Sequence, residues 1–441
     1  MFHARENEKK TFSGLSASHA MNARGWLSEQ SNSVPMSTNQ PSYQLAFQRW
    51  YRFKEAFSPQ FVADVIGSRD AKPKRCIDPF GGSGTSALTC QFLGVEPETI
   101  EVNPFLGDLI EAKLSSYNLD DLISDHVNLV RMLDSVEVEL DTLYASAPPT
   151  LIEPGVKGKW IFDHSIIARI GEYCAAIETI SKPEHRRLFK VLLGSAIVPV
   201  SNAIISGKGR RYRKNWQNRA PQPPKLDQIF AKAMQTAIYD ISKFGNRACI
   251  KYTLNRGDCR SLLDDCRTAD LILFSPPYPN SFDYTDVYNL ELWALGYLSK
   301  KSENRALRES TMRSHVQIAR SFTCDEIESV TLRHTIQQLD SKRGELWNPN
   351  IPEMIEAYFG DLERVLISSL NKLRRGGAIG MVVGDSQYAD VLVPVAKICE
   401  EFAPSLGLRC SISTPMRSMR ASAQQGGKER LAETFILFER S

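Results

Sequence analysis

Eight residues, Asp78-Pro79-Phe80-Gly81-Gly82-Ser83-Gly84-Thr85, restrict what this chain can fold into more than any other stretch. They follow a short apolar pair, Cys76 and Ile77, and run into Ser86-Ala87-Leu88-Thr89-Cys90-Gln91-Phe92-Leu93, which reads as a helix. The segment is strand, glycine-rich turn, helix N-terminus. Gly81, Gly82 and Gly84 permit a tight turn and let backbone N–H groups approach a ligand closely. Glu101 closes a second apolar-acidic run, Thr99-Ile100-Glu101-Val102. It stands at the spacing of about 20 residues at which a carboxylate one βα unit further on accepts hydrogen bonds from ribose hydroxyls. A glycine-rich turn alone is weak evidence, and a second motif has to say what it serves.

That motif is Asp270-Leu271-Ile272-Leu273-Phe274-Ser275-Pro276-Pro277-Tyr278. A buried-strand run ends in a rigid turn that presents a hydroxyl, two carbonyls and an aromatic ring. The adjacent prolines fix φ and accept hydrogen bonds without donating them. Together the two stretches resemble motif I and motif IV of the S-adenosylmethionine-dependent amino-methyltransferases that act on DNA. Ser-Pro-Pro-Tyr, in place of Asp- or Asn-Pro-Pro-Tyr, is the form typical of the cytosine-N4 enzymes. The resemblance covers about 43–115, 250–298 and 350–441. It implies an α/β fold: a doubly wound, mostly parallel seven-stranded Rossmann-like methyltransferase sheet with a helical insertion.

The resemblance also implies S-adenosylmethionine as cofactor, bound by Asp78, Phe80, Gly81, Gly82, Gly84, Thr85 and Glu101. Phe57-Ser58-Pro59 matches the family's motif X, which borders the methionine end of the cofactor; Ser58 also reads as a helix N-cap, with Pro59 in the first turn. Asn103-Pro104 stands where the family commonly follows its ribose-binding acid with Asn-Pro. Asp258, after the next strand, either faces the adenine or is a turn residue. In the catalytic role, Ser275 Oγ and the Pro276 carbonyl accept from the two N–H bonds of an exocyclic amine. Pro277 holds that turn rigid, and Tyr278 stacks on the base. A base inside a duplex cannot reach such a pocket, so flipping is implied, with double-stranded DNA as the partner. A cognate restriction endonuclease or defence-system subunits are further partners the resemblance suggests.

The totals fit an ordinary globular protein: 441 residues, 42% hydrophobic, 24% charged, net charge +3. No apolar run approaches the roughly 20 residues of a membrane span, and the N-terminus lacks the apolar core of a secretory signal. Nine scattered cysteines without paired spacing point to a reduced, cytoplasmic setting and no structural metal.

Residues 1–40 are polar and weakly periodic and read as a flexible tail. The catalytic domain follows in three parts, 41–115, 250–298 and 350–441. Residues 116–249 form a basic insertion that reads as helical over 119–143, 166–180, 185–198 and 226–244. Between Glu184 and Asp227 there is no acid but ten Lys or Arg. At the centre of that window Lys208, Arg210, Arg211, Tyr212, Arg213, Lys214 and Trp216 mix cations with aromatics. Such a loop can follow a phosphate backbone and wedge between bases. Residues 299–349 read as a second, charged insertion with a solvated helical face, and 417–428 as a basic loop between the last two strands.

No Pro-Cys dipeptide occurs, which removes the cysteine nucleophile expected of cytosine-C5 enzymes. Many cytosine-N4 enzymes carry the two motifs in the opposite order. Here the glycine motif leads, and the target-recognition region falls between them. Adenine-N6 methylation of DNA and guanine-N2 methylation of RNA stay open beside cytosine-N4, as does a catalytically silent nucleic-acid-binding protein.

Overall fold

The computed structural model describes residues 9–29, 44–53, 56–206, 209–219, 221–280, 282–323, 325–420 and 430–440. Its strands are β1 (Arg75–Asp78), β2 (Glu96–Glu101), β3 (Ala203–Ser206), β4 (Gly209–Tyr212), β5 (Thr253–Arg256), β6 (Ala269–Phe274), β7 (Leu373–Gly384), β8 (Ser386–Tyr388), β9 (Val391–Val393), β10 (Leu408–Arg420) and β11 (Arg430–Arg440). Seven of them make one sheet in the order β10-β11-β7-β6-β1-β2-β5. The pairs β1·β2, β1·β6, β2·β5 and β6·β7 are parallel, and only β11 runs against its neighbours. This is the doubly wound, mostly parallel sheet expected from the motifs.

The central strands are apolar on both faces because helices cover both. Leu271 and Leu273 of β6 belong to one core, while Ile272 and Phe274 belong to the other. β7 divides the same way, Ala378 and Val382 against Ile379, Met381 and Val383. Chain order reverses between β1 and β6, so the crevice outside their carboxyl ends is the place a ligand site forms in such sheets.

The helices used below are α1 (Ala17–Ser28), α2 (Pro59–Gly67), α3 (Thr85–Phe92), α4 (Pro104–Leu114), α5 (Leu119–Met132), α6 (His164–Glu178), α7 (Pro183–Val200), α8 (Pro223–Phe244), α9 (Lys301–Glu309), α10 (Val330–Ser341), α11 (Ile351–Lys372) and α12 (Val395–Phe402). No described helix is long and apolar enough to cross a membrane. α5 to α8 realise the helical part of the insertion, and they share one core with the sheet. Gly194 of α7 meets the Phe105 ring of α4 so closely that an added Cβ would lie 2.6 Å from it.

The expected boundaries need four corrections. The expected flexible tail is partly structured: α1 docks through Ala23, Trp26 and Leu27, all buried. Trp26 stacks on Phe92 at 4.1 Å and donates its indole N–H to the Ala46 carbonyl. Three apolar residues at i, i+3 and i+4 suffice for docking, although the composition around them is that of a tail. The insertion is not wholly helical, because β3 and β4 form an antiparallel hairpin through its basic centre. Ala203-Ile204-Ile205 supplies the β-branched run. The helix expected over 119–143 stops at Met132, with only a short turn at Leu140–Leu143. Finally, Arg417 and Ser418 lie in strand β10 rather than in a loop, while 421–429 fall outside the described residues.

Candidate active site

The glycine turn is held from below. Gly81 donates its N–H to the Ile100 carbonyl at 2.9 Å, and a Cβ there would lie 2.3 Å from Thr99 Cγ2. Only hydrogen fits, so β2 and the turn can come together. Gly82, at φ 51, donates to Glu101 Oε2 at 2.7 Å, and Glu101 Oε1 accepts from Asn103 N–H at 2.8 Å. The carboxylate thus ties the turn after β1 to the start of α4. Asn103 caps α4 by accepting from Phe105 and Leu106 N–H. Burial pushes the Glu101 carboxyl up to about 7, against the pull of those N–H groups. Asp78 ends β1, accepts from Phe80 N–H at 3.0 Å, and is pushed up by burial to about 6.

Gly84 begins α3, and the Ser83 and Thr85 hydroxyls lie 3.1 Å apart beneath the turn. A fully buried lysine braces it. Lys113 Nζ donates to the Ser83 carbonyl at 2.6 Å and to Gln48 Oε1 at 2.9 Å, and burial pulls its pKa down to about 7.

One open cleft gathers residues from both motifs. Phe57, Phe80, Gly82, Glu101, Asn103 and Asp258 line it together with Ser275, Pro276, Pro277 and Tyr278. It lies at the carboxyl ends of β1, β2, β5 and β6. Of the other residues expected to bind cofactor, Ser58, Asp78, Gly81, Gly84 and Thr85 are not on the wall. Ser58 is buried and caps α2 by accepting from Phe61 N–H at 3.2 Å. Asp258 is on the wall, and it also caps the turn at Cys259–Leu262 while pairing with Arg260 at 2.7 Å.

Several wall residues carry no motif. Phe53 stacks on Tyr288 with parallel rings and packs over Gly82, where a Cβ would sit 3.1 Å from it. Segment 310–315 of the expected solvated insertion forms one side of the cleft through Ser310, Thr311, Met312, Ser314 and His315. It is drawn in because Arg313 pairs with Asp361 of α11, while Arg308 of α9 pairs with Asp283 just after the Pro-Pro-Tyr turn. His315 is buried; among the described residues neither ring nitrogen has a hydrogen-bond partner, the Asp283 carboxylate stands 4.0 Å from Nε2, and burial pulls its pKa down to about 4. Arg417 of β10 and Glu433 of β11 complete the wall. Glu433 did leave a sequence signal, an acid directly before the apolar run Phe435-Ile436-Leu437-Phe438 with only Thr434 between; His315 left none.

Around the Pro-Pro-Tyr turn, Ser275 Oγ donates to the Tyr278 hydroxyl at 3.3 Å, and Tyr278 donates to Glu433 Oε1 at 2.8 Å. Burial, then the Glu433 charge, push the phenol far above its usual range.

The basic hairpin docks beside this cleft, Arg210 of β4 reaching Asp286 at 3.0 Å. Arg213 is turned inward, donating to the Ser201 and Val198 carbonyls. Trp216 is buried between Trp160, edge-on at 4.9 Å, and Tyr212 at 5.1 Å, so its ring is committed to protein packing. Arg211 and Lys214 are exposed. Lys208 lies outside the described residues.

No protein-family model matches the chain. The Type II methyltransferase M.AvaI of Nostoc sp. is 24% identical over 435 residues, spanning 91% of this chain and 86% of its own. The Type II methyltransferase M.BsoBI of Geobacillus stearothermophilus is 23% identical over 433 residues, spanning 86% and 82%. Among solved structures, an rRNA methyltransferase from Streptomyces viridochromogenes aligns over 97% of this chain and 94% of its own at 10% identity. Its TM-score is 0.27, too loose an overlap to carry an argument.

Proposed function

We propose that this chain is a site-specific DNA methyltransferase that acts on the N4 amine of a flipped-out cytosine, as the modification part of a restriction or defence system. One observation carries the reading. The glycine turn with its acid and the Ser-Pro-Pro-Tyr turn, about 200 residues apart in sequence, wall the same cleft at the sheet's switch point. Similarity to two Type II methyltransferases along most of their length supports the same class.

The residues present suit S-adenosylmethionine. Glu101 keeps lone pairs for ribose hydroxyls, glycine at 82 leaves backbone accessible, and Phe53, Phe57 and Phe80 offer apolar walls. When bound, the cofactor supplies a methyl group activated on a sulfonium, so the protein needs no nucleophile of its own. Its work is positioning and charge complementarity. The amine lone pair of cytosine is delocalised into the ring. Acceptors at Ser275 Oγ and the Pro276 carbonyl draw the two N–H bonds aside and free it, while Pro277 fixes the turn and Tyr278 faces the base. The N4 assignment rests on serine at position 275.

Incubation with unmethylated genomic DNA and labelled cofactor, followed by nucleoside mass spectrometry, is expected to yield N4-methylcytosine. N6-methyladenine as sole product overturns the base assignment; labelled RNA with blank DNA overturns the substrate class.

The Glu101 carboxyl adds a pH test. Ribose hydroxyls donate to the ionised form, whereas the free protein holds a proton there up to about pH 7. Cofactor affinity should therefore tighten between about pH 6 and 8, with a proton released on binding. For the free protein the sign differs: the native state retains a proton the unfolded chain has lost, so this group's contribution to stability falls as pH climbs from 4.5 toward about 7. Calorimetry in buffers of different ionisation enthalpy checks the first claim, and a flat affinity with no proton release counts against it.

Among the described cations of the hairpin and the turn after it, Arg211 and Lys214 are exposed and can meet phosphates. Replacing both with Ala should weaken DNA binding and reduce the slope of log affinity against log salt by about 2, leaving cofactor affinity unchanged. An unaltered slope removes the hairpin from the DNA interface.

A further inference from the structure

Deepening the proposed function, and resting on it, we propose that Glu433 is a positioning residue that makes the Ser275 hydroxyl a hydrogen-bond acceptor toward the target amine. Aspartate or asparagine at the same place presents an oxygen that bears no proton. Serine bears one, and a freely turning hydroxyl can point it at the amine's own N–H bonds. Something must hold that proton elsewhere.

The donor count along three side chains does so. A carboxylate accepts and cannot donate, so at the 2.8 Å contact Tyr278 O–H is the donor and Glu433 Oε1 the acceptor. The phenol's only proton is then used. Across the 3.3 Å contact the Tyr278 oxygen can only accept, and Ser275 must give it its single proton. What remains on Ser275 Oγ is lone pairs, and Ser275 is on the cleft wall.

The far end of the chain is fixed as well. Arg417 meets Glu433 with two hydrogen bonds, Nε at 2.5 Å and Nη2 at 3.1 Å, a forked pairing that leaves the carboxylate little freedom to turn. The two residues are register partners on adjacent strands β10 and β11. Glu433 is 2% exposed, in a strand whose buried residues are otherwise apolar apart from Thr434. A buried acid with one arginine and one tyrosine facing the cleft serves packing poorly and polarity well. In the reaction the amine nitrogen forms its bond to the methyl carbon and the C–S electron pair departs with sulfur. One amine proton is then lost to water in the cleft, while Ser275 and Tyr278 keep their protons and Glu433 stays a carboxylate throughout.

Glu433→Gln tests this with almost no change of shape. A glutamine can present N–H to the Tyr278 oxygen, turning the phenol toward Ser275 and the serine proton toward the amine. Tyr278→Phe keeps the ring and cuts the chain one step earlier. The full-length wild type, both single variants and the double variant are assayed with unmethylated duplex DNA and labelled cofactor. Each single variant should lower kcat roughly tenfold or more, the scale of one mis-set hydrogen bond. DNA KM and cofactor Kd should stay within about twofold of wild type, and the double variant should be no slower than the slower single one. Wild-type rates in Glu433→Gln, or losses that multiply in the double variant, overturn the inference. If Glu433→Gln fails to bind cofactor, Tyr278→Phe, which leaves the Glu433–Arg417 pair intact, decides alone: a normal rate overturns it. A wild type that methylates no DNA removes the functional reading instead, so the two failures are distinguishable.

Discussion

Ser275→Ala should lower kcat by roughly 10²–10³-fold, the scale of losing one preorganised polar contact made in a transition state. Cofactor Kd should stay within about twofold of wild type. The separation follows from the geometry. Among the described residues Ser275 Oγ has one hydrogen bond, to Tyr278, and none to the glycine turn or Glu101. The groups that suit the cofactor are held by other bonds: Gly82 and Asn103 N–H to Glu101, and Lys113 to the Ser83 carbonyl. Deleting one hydroxyl at a partly exposed wall position leaves all of these in place. Stability should hardly change, because the Tyr278 oxygen loses an acceptor role that water can fill. Single-turnover rates with saturating DNA, beside calorimetric titration of cofactor, measure the two quantities separately. A variant that turns over normally, or one that loses cofactor binding in step with its rate, would remove Ser275 from the role given to it.

The parts of the fold legible in the sequence were those governed by short-range rules. A glycine turn between an apolar run and a helix, and a double-proline turn after another apolar run, each specify local backbone, and both lie where expected on the sheet. The Ser58 cap was readable for the same reason. What escaped depends on contacts between distant segments. Nothing near Glu433 announces Tyr278, 155 residues away, as its partner. Nothing around His315 shows that Arg313 and Asp361 bring its segment to the cleft wall. The basic window failed in a different way. Its charge count was right, but count says nothing of direction, and Arg210 and Arg213 point into the protein while Arg211 and Lys214 do not. Trp216 shows the same limit, since an aromatic among cations reads alike whether it faces a base or a second tryptophan.

Asp240→Ala should destabilise the protein by about 3 kcal/mol or more, and it should weaken cofactor binding although Asp240 is far from the cleft in sequence. Asp240 is fully buried in α8 and accepts from Phe47 N–H at 2.9 Å, Trp50 Nε1 at 2.9 Å and the Arg49 guanidinium. Burial raises its carboxyl above the usual aspartate range against the pull of Arg49. Removing the carboxylate strands two buried N–H groups and an arginine. Breaking a buried charged cluster from one side costs about 3–5 kcal/mol. Arg49 keeps part of its side chain in water and can turn outward, which puts the expectation at the lower end. The indole and the backbone N–H have no such exit. The same short segment carries Gln48, which receives Lys113 beneath the Ser83 carbonyl, and Phe53, which packs over Gly82. Loosening it therefore loosens the glycine turn. Urea unfolding gives the loss from the shift in midpoint of the first transition, and calorimetry reports the cofactor affinity. Asp240→Asn, which keeps an acceptor for the indole, should fall between the two. A loss below about 1 kcal/mol with full cofactor affinity would mean that α8 and the segment before α2 are joined by apolar packing, with the buried cluster contributing little.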